Sequence, residues 1–95
     1  MLSKMEHEMK LDAQYFDMIR VGIKKTEIRV NDEKRQKVKT GDIILFSKRS
    51  DLKEKIKVKV LGRKEVASYP GFDKIYSKDE MNKYGFVIFD IELVN

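Results

Sequence analysis

The sequence lacks cysteine altogether and contains one histidine and one proline among its 95 residues. Without cysteine, disulfide bonds, thiolate chemistry and cysteine-based zinc sites are excluded. The histidine, His7, falls on the apolar face of a predicted strand, so we interpret it as structural. This composition gives no support to a transition-metal site, and we expect no cofactor.

Long hydrophobic runs are also missing from the chain. No apolar segment approaches the roughly 20 residues that a membrane-spanning helix requires, and residues 1–10 lack the apolar stretch of a signal peptide. We therefore predict a cytoplasmic protein without a membrane partner. The length corresponds to a single domain, residues 1–95, with a modest core. We expect a monomer or a weak dimer.

Charged residues, by contrast, are abundant: they make up 39% of the sequence, and the net charge is +5. A basic domain of this size is attracted to polyanions, of which nucleic acid is the obvious example. Many small domains carry a similar charge for solubility alone. The sequence has no Gly-rich phosphate loop and no Ser-His-Asp set, so two common enzyme signatures are absent.

Hydrophobic periodicity divides the chain into short elements. Apolar and polar residues alternate in several segments, and this period of two predicts strands. Asp12 is a favourable helix N-cap and Gly22 a C-cap, while Ser77 and Glu80 fit a capping box. The predicted order is strand 7–11, helix 12–22, strand 25–30, polar loop 31–39, strand 43–47, polar connection 48–54, strand 55–61, helix 77–85 and strand 86–93.

This order, mostly strands with two short helices, predicts an α+β fold. We expect a small mixed β-barrel of about five to six strands, whose closure hides the sheet edges. The last strand is predicted to turn its alternate apolar residues inward: Val87, Phe89, Ile91 and Leu93. On strand 55–61 the alternate apolar residues form the buried face and the lysines between them form a solvated face.

The most distinctive stretch of the chain runs over residues 22–29, GIKKTEIR. With the amphipathic helix before it and TGDIILF at 40–46 after it, this stretch resembles the signature of the ASCH domain, the β-barrel branch of the PUA-like superfamily. NDEKRQ at 31–36 and YSKDE at 76–80, followed by Tyr84-Gly85, are similar to the family as well. The resemblance covers residues 7–93. It implies a PUA-like barrel that holds RNA or a modified nucleoside in a cleft floored by strand 25–30.

One similar branch of the family is a small amidohydrolase that removes the acetyl group from N4-acetylcytidine with a lysine, a threonine and a glutamate. Carried onto this sequence, the lysine falls on Lys24, and the threonine position is occupied by Glu27. Thr26 lies next to it but on the opposite face of a strand. The segment that bears the glutamate is short here, and Asp73 is its nearest acid. At these positions the sequence departs from the enzyme branch, so whether the protein is an enzyme stays open.

Lys24, Glu27 and Arg29 form the leading candidate site. Glu27 and Arg29 lie two apart on a strand, so both side chains point the same way. The carboxylate can accept a hydrogen bond from an exocyclic amine of a base, and the guanidinium can bind a carbonyl or a phosphate. Lys24 can contact a phosphate, or serve as a catalytic acid or base together with Glu27. The alternative is an intrachain ion pair between Glu27 and Arg29 that fixes the strand.

Three further groups are candidates for ligand contact. The polar loop contains the candidates Asp32, Lys34 and Arg35. The two cations either bind backbone phosphates of a nucleic acid or are simply part of a solvated loop. The lysines of strand 55–61 form either a basic stripe for RNA or an ordinary solvent-facing edge; they are Lys55, Lys57 and Lys59.

Aromatic residues near the second helix offer stacking surfaces for bases. They are Tyr69, Phe72, Tyr76 and Tyr84. Because core packing is the commoner role of such residues, we predict that at most one of them, Tyr76 or Tyr69, contacts a ligand. Ser77 is a candidate beside Tyr76, or acts only as a helix cap.

Overall fold

The computed structural model of the protein describes residues 5–71 and 76–94. Within these residues the chain forms five strands and three helices. In chain order they are β1 (Glu6–Leu11), α1 (Ala13–Arg20), β2 (Thr26–Val30), α2 (Glu33–Gln36), β3 (Ile43–Lys48), β4 (Asp51–Val66), α3 (Lys78–Tyr84) and β5 (Phe86–Val94). No helix in this part of the chain is long and apolar enough to cross a membrane.

The strands form one sheet in the order β1-β3-β4-β5-β2, which curls into a half-barrel. β1 runs parallel to β3, and the other neighbours are antiparallel. β4 pairs with β3 through its first part and with β5 through its second, and a register shift between Val60 and Gly62 marks a bulge of the kind that bends strands. The predicted α+β class and small mixed barrel are therefore confirmed.

The two edge strands, β1 and β2, approach each other across the open side of the half-barrel. Arg29 in β2 donates from Nη2 to the backbone carbonyl oxygen of Lys10 in β1 at 2.8 Å. A side chain, rather than a backbone ladder, thus links the two edges here, and this leaves room for a cleft beside it.

The core consists of the inward residues of the strands, closed on one side by α1. Its buried members are Met9, Leu11, Phe16, Ile19, Val38, Ile44, Phe46, Val58, Val60, Val87, Phe89 and Ile91. The alternation predicted for strand 55–61 is confirmed by the complete burial of Val58 and Val60. Leu93 was predicted to be inward but is 38% exposed, because it lies near the end of β5 beside a surface depression.

Two predicted connections are instead regular structure. Most of the connection predicted at 48–54 belongs to strands, because β4 begins at Asp51 directly after a two-residue turn. Residues 51–55 are exposed, so burial imposes no apolar alternation on them, and the pairs Lys48↔Asp51 and Ser47↔Lys55 join both ends of this segment to β3. The loop predicted at 31–39 contains the one-turn helix α2, because Asp32 accepts a hydrogen bond from the backbone N–H of Arg35 at 3.1 Å.

The predicted helix starts are partly confirmed. Ser77 caps α3 by accepting from the backbone N–H of Glu80 at 3.2 Å, and Gly85 follows the helix with φ +64°. Asp12 occupies the N-cap position of α1 but makes no capping hydrogen bond with its side chain. Its carboxylate pairs with Arg49 instead, at 2.9 Å.

His7 has a structural partner, as predicted. Its Nε2 lies 2.9 Å from Oδ2 of Asp42. The same oxygen accepts from the backbone N–H of Lys39, and Oδ1 accepts from the backbone N–H of Met5. Burial by itself raises the pKa of the Asp42 carboxyl, but these hydrogen bonds outweigh it and hold the pKa below its usual value. The pair ties β1 to the turn that precedes β3.

Candidate functional site

A cleft of about 190 Å³ opens beside the contact between the two edge strands. It is bounded by β1, α1, β2, the turn between β3 and β4, and the residues before α3. Its lining contains four cationic side chains, two acidic ones and two tyrosines among apolar neighbours: Lys10, Leu11, Asp12, Tyr15, Lys24, Glu27, Ile28, Arg29, Arg49 and Tyr76. The predicted residues Lys24, Glu27, Arg29 and Tyr76 are thus brought together.

The floor of the cleft is the ion pair between Glu27 and Arg29. The guanidinium lies 2.7 Å from Oε2 of Glu27, and the two side chains are only 7% and 8% exposed. The intrachain ion pair that was the alternative interpretation is present, and both side chains also line the cleft. Arg29 is fixed further by its bond to the Lys10 carbonyl oxygen, so the floor is a rigid polar surface.

Lys24 and Tyr15 form a second side of the cleft. The Lys24 ammonium lies 3.4 Å from Oε1 of Glu27 and 5.6 Å from the centroid of the Tyr15 ring. The lysine is therefore held between a carboxylate and an aromatic face. Tyr15 itself is 43% exposed. Tyr76, the other ring of the cleft, contacts Phe86 edge to face at 6.3 Å.

The rim of the cleft carries a more exposed ion pair. Arg49, in the turn between β3 and β4, donates from its backbone N–H to the carbonyl oxygen of Leu11 at 2.8 Å. Its Nε lies 2.9 Å from Oδ1 of Asp12, and the two side chains are 55% and 67% exposed. Lys10 lies beside them on β1 and is also exposed.

Six residues of the cleft were not predicted as site residues: the apolar Leu11 and Ile28, and the polar or aromatic Lys10, Asp12, Tyr15 and Arg49. Asp12 fitted the pattern of an N-cap, and nothing in the sequence distinguished Tyr15 from the other residues of the amphipathic helix. Arg49 lay in a polar connection without any motif. Nothing in the sequence brings residues 10–15 and 49 together; the parallel pairing of β1 with β3 does so.

The predicted residues Asp32, Lys34, Arg35 and Ser77 do not line the cleft. Asp32 and Arg35 pair with each other at 2.9 Å within α2, and Lys34 is exposed. Ser77 caps α3. These four residues are separate from the site that Lys24, Glu27 and Arg29 form.

Arg63, which the sequence did not single out, anchors α2 to the sheet. It donates to the backbone carbonyl oxygens of Arg35 and Val38 and, at 3.0 Å, to Oδ1 of Asn31. Asn31 in turn donates to Glu65 at 2.6 Å. Arg63 and Asn31 are 32 positions apart, so no local pattern reveals this network.

The lysines of β4 are partly engaged with neighbouring strands. Lys57 lies 3.6 Å from a carboxylate oxygen of Glu6, and Lys55 donates to the Ser47 hydroxyl at 3.3 Å. This acidic neighbour weakens the case for a basic stripe. Among the other aromatic candidates, Tyr69 lines a depression beside α3 and Tyr84 lies under the Lys83 ammonium. Phe72 and Asp73 lie outside the described residues.

Two other surface depressions are larger, at about 300 and 290 Å³. The first is bordered by aliphatic residues such as Leu61 and Leu93 and by the charged residues Lys24, Lys25 and Glu92, so Lys24 lines both this depression and the cleft. The second lies between α3 and residues 67–71. The smaller cleft brings more charged side chains together than either depression, and convergent polar groups fix the orientation of a ligand. Over residues 5–71 and 76–94, no group of three or more acidic or histidine side chains is placed to hold a metal ion.

Comparisons with known proteins agree with this architecture. The family model of the ASCH domain matches residues 9–95. A crystal structure of the hypothetical protein PH0355 superposes with a TM-score of 0.81 and 32% identity, covering 95% of this chain and 100% of that one. The solution NMR structure of protein PF0455 from Pyrococcus furiosus superposes with a TM-score of 0.70 and 28% identity, covering 96% and 99%.

No curated protein matches the chain. The similarity to the N4-acetylcytidine amidohydrolase branch therefore stays a prediction. The family itself is confirmed, because the family model spans nearly the whole chain and a relative of matching length shares both fold and sequence. The chain belongs to the ASCH domain family.

Proposed function

We propose that the cleft binds a nucleobase, presented by RNA or by a modified nucleoside. ASCH domains have a PUA-like fold that is often linked to RNA binding. The cleft combines an exposed aromatic ring with a polar floor and cationic side chains. Rings of this kind stack on bases, and cations attract the phosphate backbone.

The observation that carries the proposal is the pair Glu27 and Arg29, fixed side by side at the floor. A carboxylate beside a guanidinium presents an acceptor next to donors, the pattern that reads the edge of a base. Because both groups are already oriented by their mutual bond, little ordering is required when a base binds.

The size of the cleft restricts the ligand further. Sites for drug-sized molecules have volumes of about 300–1,000 Å³, whereas this cleft has about 190 Å³. The cleft is therefore suited to the base of a nucleotide, with the sugar nearer to solvent.

A calorimetric titration with N4-acetylcytidine and with cytidine tests the proposal. We expect saturable binding in low salt that Lys24→Arg tolerates, because the arginine keeps the positive charge beside Glu27. Binding to a single-stranded RNA should weaken as salt rises, since phosphate contacts release counterions. Failure of the nucleosides and of RNA to bind at low salt would refute the proposal.

The second candidate function is hydrolysis of the amide of N4-acetylcytidine. It is favoured by one contact, the 3.4 Å approach of the Lys24 ammonium to the Glu27 carboxylate in the cleft. In this reaction Glu27 accepts a proton from water, whose oxygen attacks the acetyl carbonyl carbon. Lys24 stabilises the oxyanion. The C–N bond then breaks as Glu27 returns its proton to N4, so that cytidine leaves with a free amino group and the acetyl group leaves as acetic acid, which ionises to acetate.

Release of acetate, followed by NMR in the same samples, separates the two functions. An amidohydrolase produces acetate with wild-type protein and none with a folded Lys24→Ala variant. A binding module produces no acetate at any enzyme concentration while the nucleoside still binds. Turnover that is unchanged in Lys24→Ala would eliminate the proposed catalytic role of this lysine.

A further inference from the structure

We infer that the ligand of the cleft carries a phosphate group, and that Arg49 and Lys10 at the rim contact this phosphate in exchange for the Asp12 carboxylate. The inference rests on the proposed function, because it requires a base in the cleft. It names the substrate class as a nucleotide or an RNA strand rather than a free nucleoside.

The rim cations Lys10 and Arg49 lie in the same cleft as the floor. The cleft is small, at about 190 Å³, so the sugar of a ligand whose base contacts the floor lies toward the exposed residues of the lining. Lys10 and Arg49 line this same cleft and are both exposed to solvent. A phosphate attached to the sugar therefore meets cationic side chains at the rim.

The cations of the cleft differ in whether a phosphate can replace their present partners. Arg29 and Lys24 both pair with the nearly buried Glu27, and Arg29 also donates to a backbone carbonyl. Losing such contacts inside the cleft is costly. Arg49, by contrast, pairs with Asp12 where both side chains are more than half exposed. Exposed pairs contribute little, so an incoming anion displaces this carboxylate at low cost.

Arg49 is well placed to bind an anion. Its backbone N–H donates to the Leu11 carbonyl oxygen at 2.8 Å, which fixes the turn against the end of β1. A guanidinium binds phosphate through two parallel hydrogen bonds and gains more from it than from a single carboxylate contact in water. The described contacts thus hold the backbone while the side chain exchanges partners.

Affinities of N4-acetylcytidine and of its 5′- and 3′-monophosphates, measured by calorimetry in low salt, test the inference. The measured quantity is the ratio of nucleotide affinity to nucleoside affinity. We expect a ratio of about 10 or more for at least one phosphate position, as is typical of charge-assisted contacts. The position that shows this gain identifies the side of the sugar that faces Arg49.

Two variants of opposite effect keep the test independent of folding defects. Arg49→Gln should lower the ratio several-fold, because Lys10 is then the remaining rim cation, whereas Asp12→Asn should raise it above the wild-type value, because the competing carboxylate is gone. Arg20→Gln is the matched control: Arg20 is 54% exposed, pairs with Asp17 and lies outside the cleft. It should keep the wild-type ratio.

A nucleoside that binds as tightly as its phosphates would overturn the inference and leave the proposed function intact. A ratio that is the same in Arg49→Gln, Asp12→Asn and wild-type protein would overturn it as well. If neither the nucleoside nor its phosphates bind, the proposed function itself fails, and the inference fails with it.

Discussion

Replacing Glu27 by glutamine should destabilise the fold more than any exposed charge replacement. Glu27 holds two cations at once, with Oε2 at 2.7 Å from Arg29 and Oε1 at 3.4 Å from Lys24. Its side chain is 7% exposed. Glutamine has the same shape but no charge, so it leaves a nearly buried guanidinium with only the Lys10 carbonyl and a neutral amide oxygen as acceptors.

The cost can be bounded from these contacts. Removing one partner of a buried ion pair costs about 3–5 kcal/mol. The remaining amide oxygen and the opening of the cleft to water reduce this value, so we expect about 2–3 kcal/mol for Glu27→Gln. A domain of this length has a free energy of unfolding of about 5–14 kcal/mol. The variant should therefore fold, with a Tm lowered by roughly 10–20 °C.

Urea denaturation followed by far-UV circular dichroism measures the effect. Glu6→Gln is the control, because Glu6 pairs with Lys57 at 3.6 Å with both side chains about half exposed; it should cost at most about 0.5 kcal/mol. Adding Arg29→Gln and the double variant completes a cycle whose coupling energy should exceed about 1 kcal/mol. If Glu27→Gln costs no more than Glu6→Gln, the floor of the cleft is not the fixed ion pair described above.

Three other predictions follow from single contacts. The pKa of Asp42 is held below its usual value of 3.8, so the stabilisation that its carboxylate provides is present above that pH and is lost as the pH falls through the lowered pKa. In urea titrations, Asp42→Asn should therefore lose less stability than the wild-type protein between about pH 5 and 2. Gly85→Ala should lower the free energy of unfolding by about 2 kcal/mol or more, because φ is +64° and a Cβ would lie 2.8 Å from a carbonyl oxygen of β4. Gly62→Ala is the control and should be tolerated, because the atom nearest to its Cβ would be 3.6 Å away. Arg63→Lys should raise the amide hydrogen-exchange rate of Val38 about tenfold or more, because lysine lacks the planar guanidinium that donates to the carbonyl oxygens of Arg35 and Val38.

The strands that bury one face are predictable from the sequence, since burial on one side imposes the period of two. Val58, Val60, Phe89 and Ile91 alternate with charged residues in both sequence and structure. The beginning of β4 escaped prediction for the same physical reason. Residues 51–55 are exposed, so burial imposes no alternation of apolar residues there, and their extended backbone, paired with β3 at Asp51 and Lys55, has no signature in the side-chain pattern.

The candidate site was likewise predictable from the sequence only in part. The common direction of Glu27 and Arg29 follows from their spacing on one strand, and the structure places both at the cleft with Lys24. Arg49 reaches the same cleft only because β3 pairs with β1 and the turn after β3 docks on Leu11. Contacts between residues that are distant in sequence depend on topology, and single-residue preferences do not encode it.

The central claim is that the cleft of Lys24, Glu27 and Arg29 binds a nucleobase. Amide chemical-shift mapping of the labelled protein with N4-acetylcytidine tests it most directly. We expect saturable shifts at these three residues and at Tyr15, with smaller changes on β4. Shifts confined to the β4 lysines, or no shifts at saturating nucleoside, would contradict the claim.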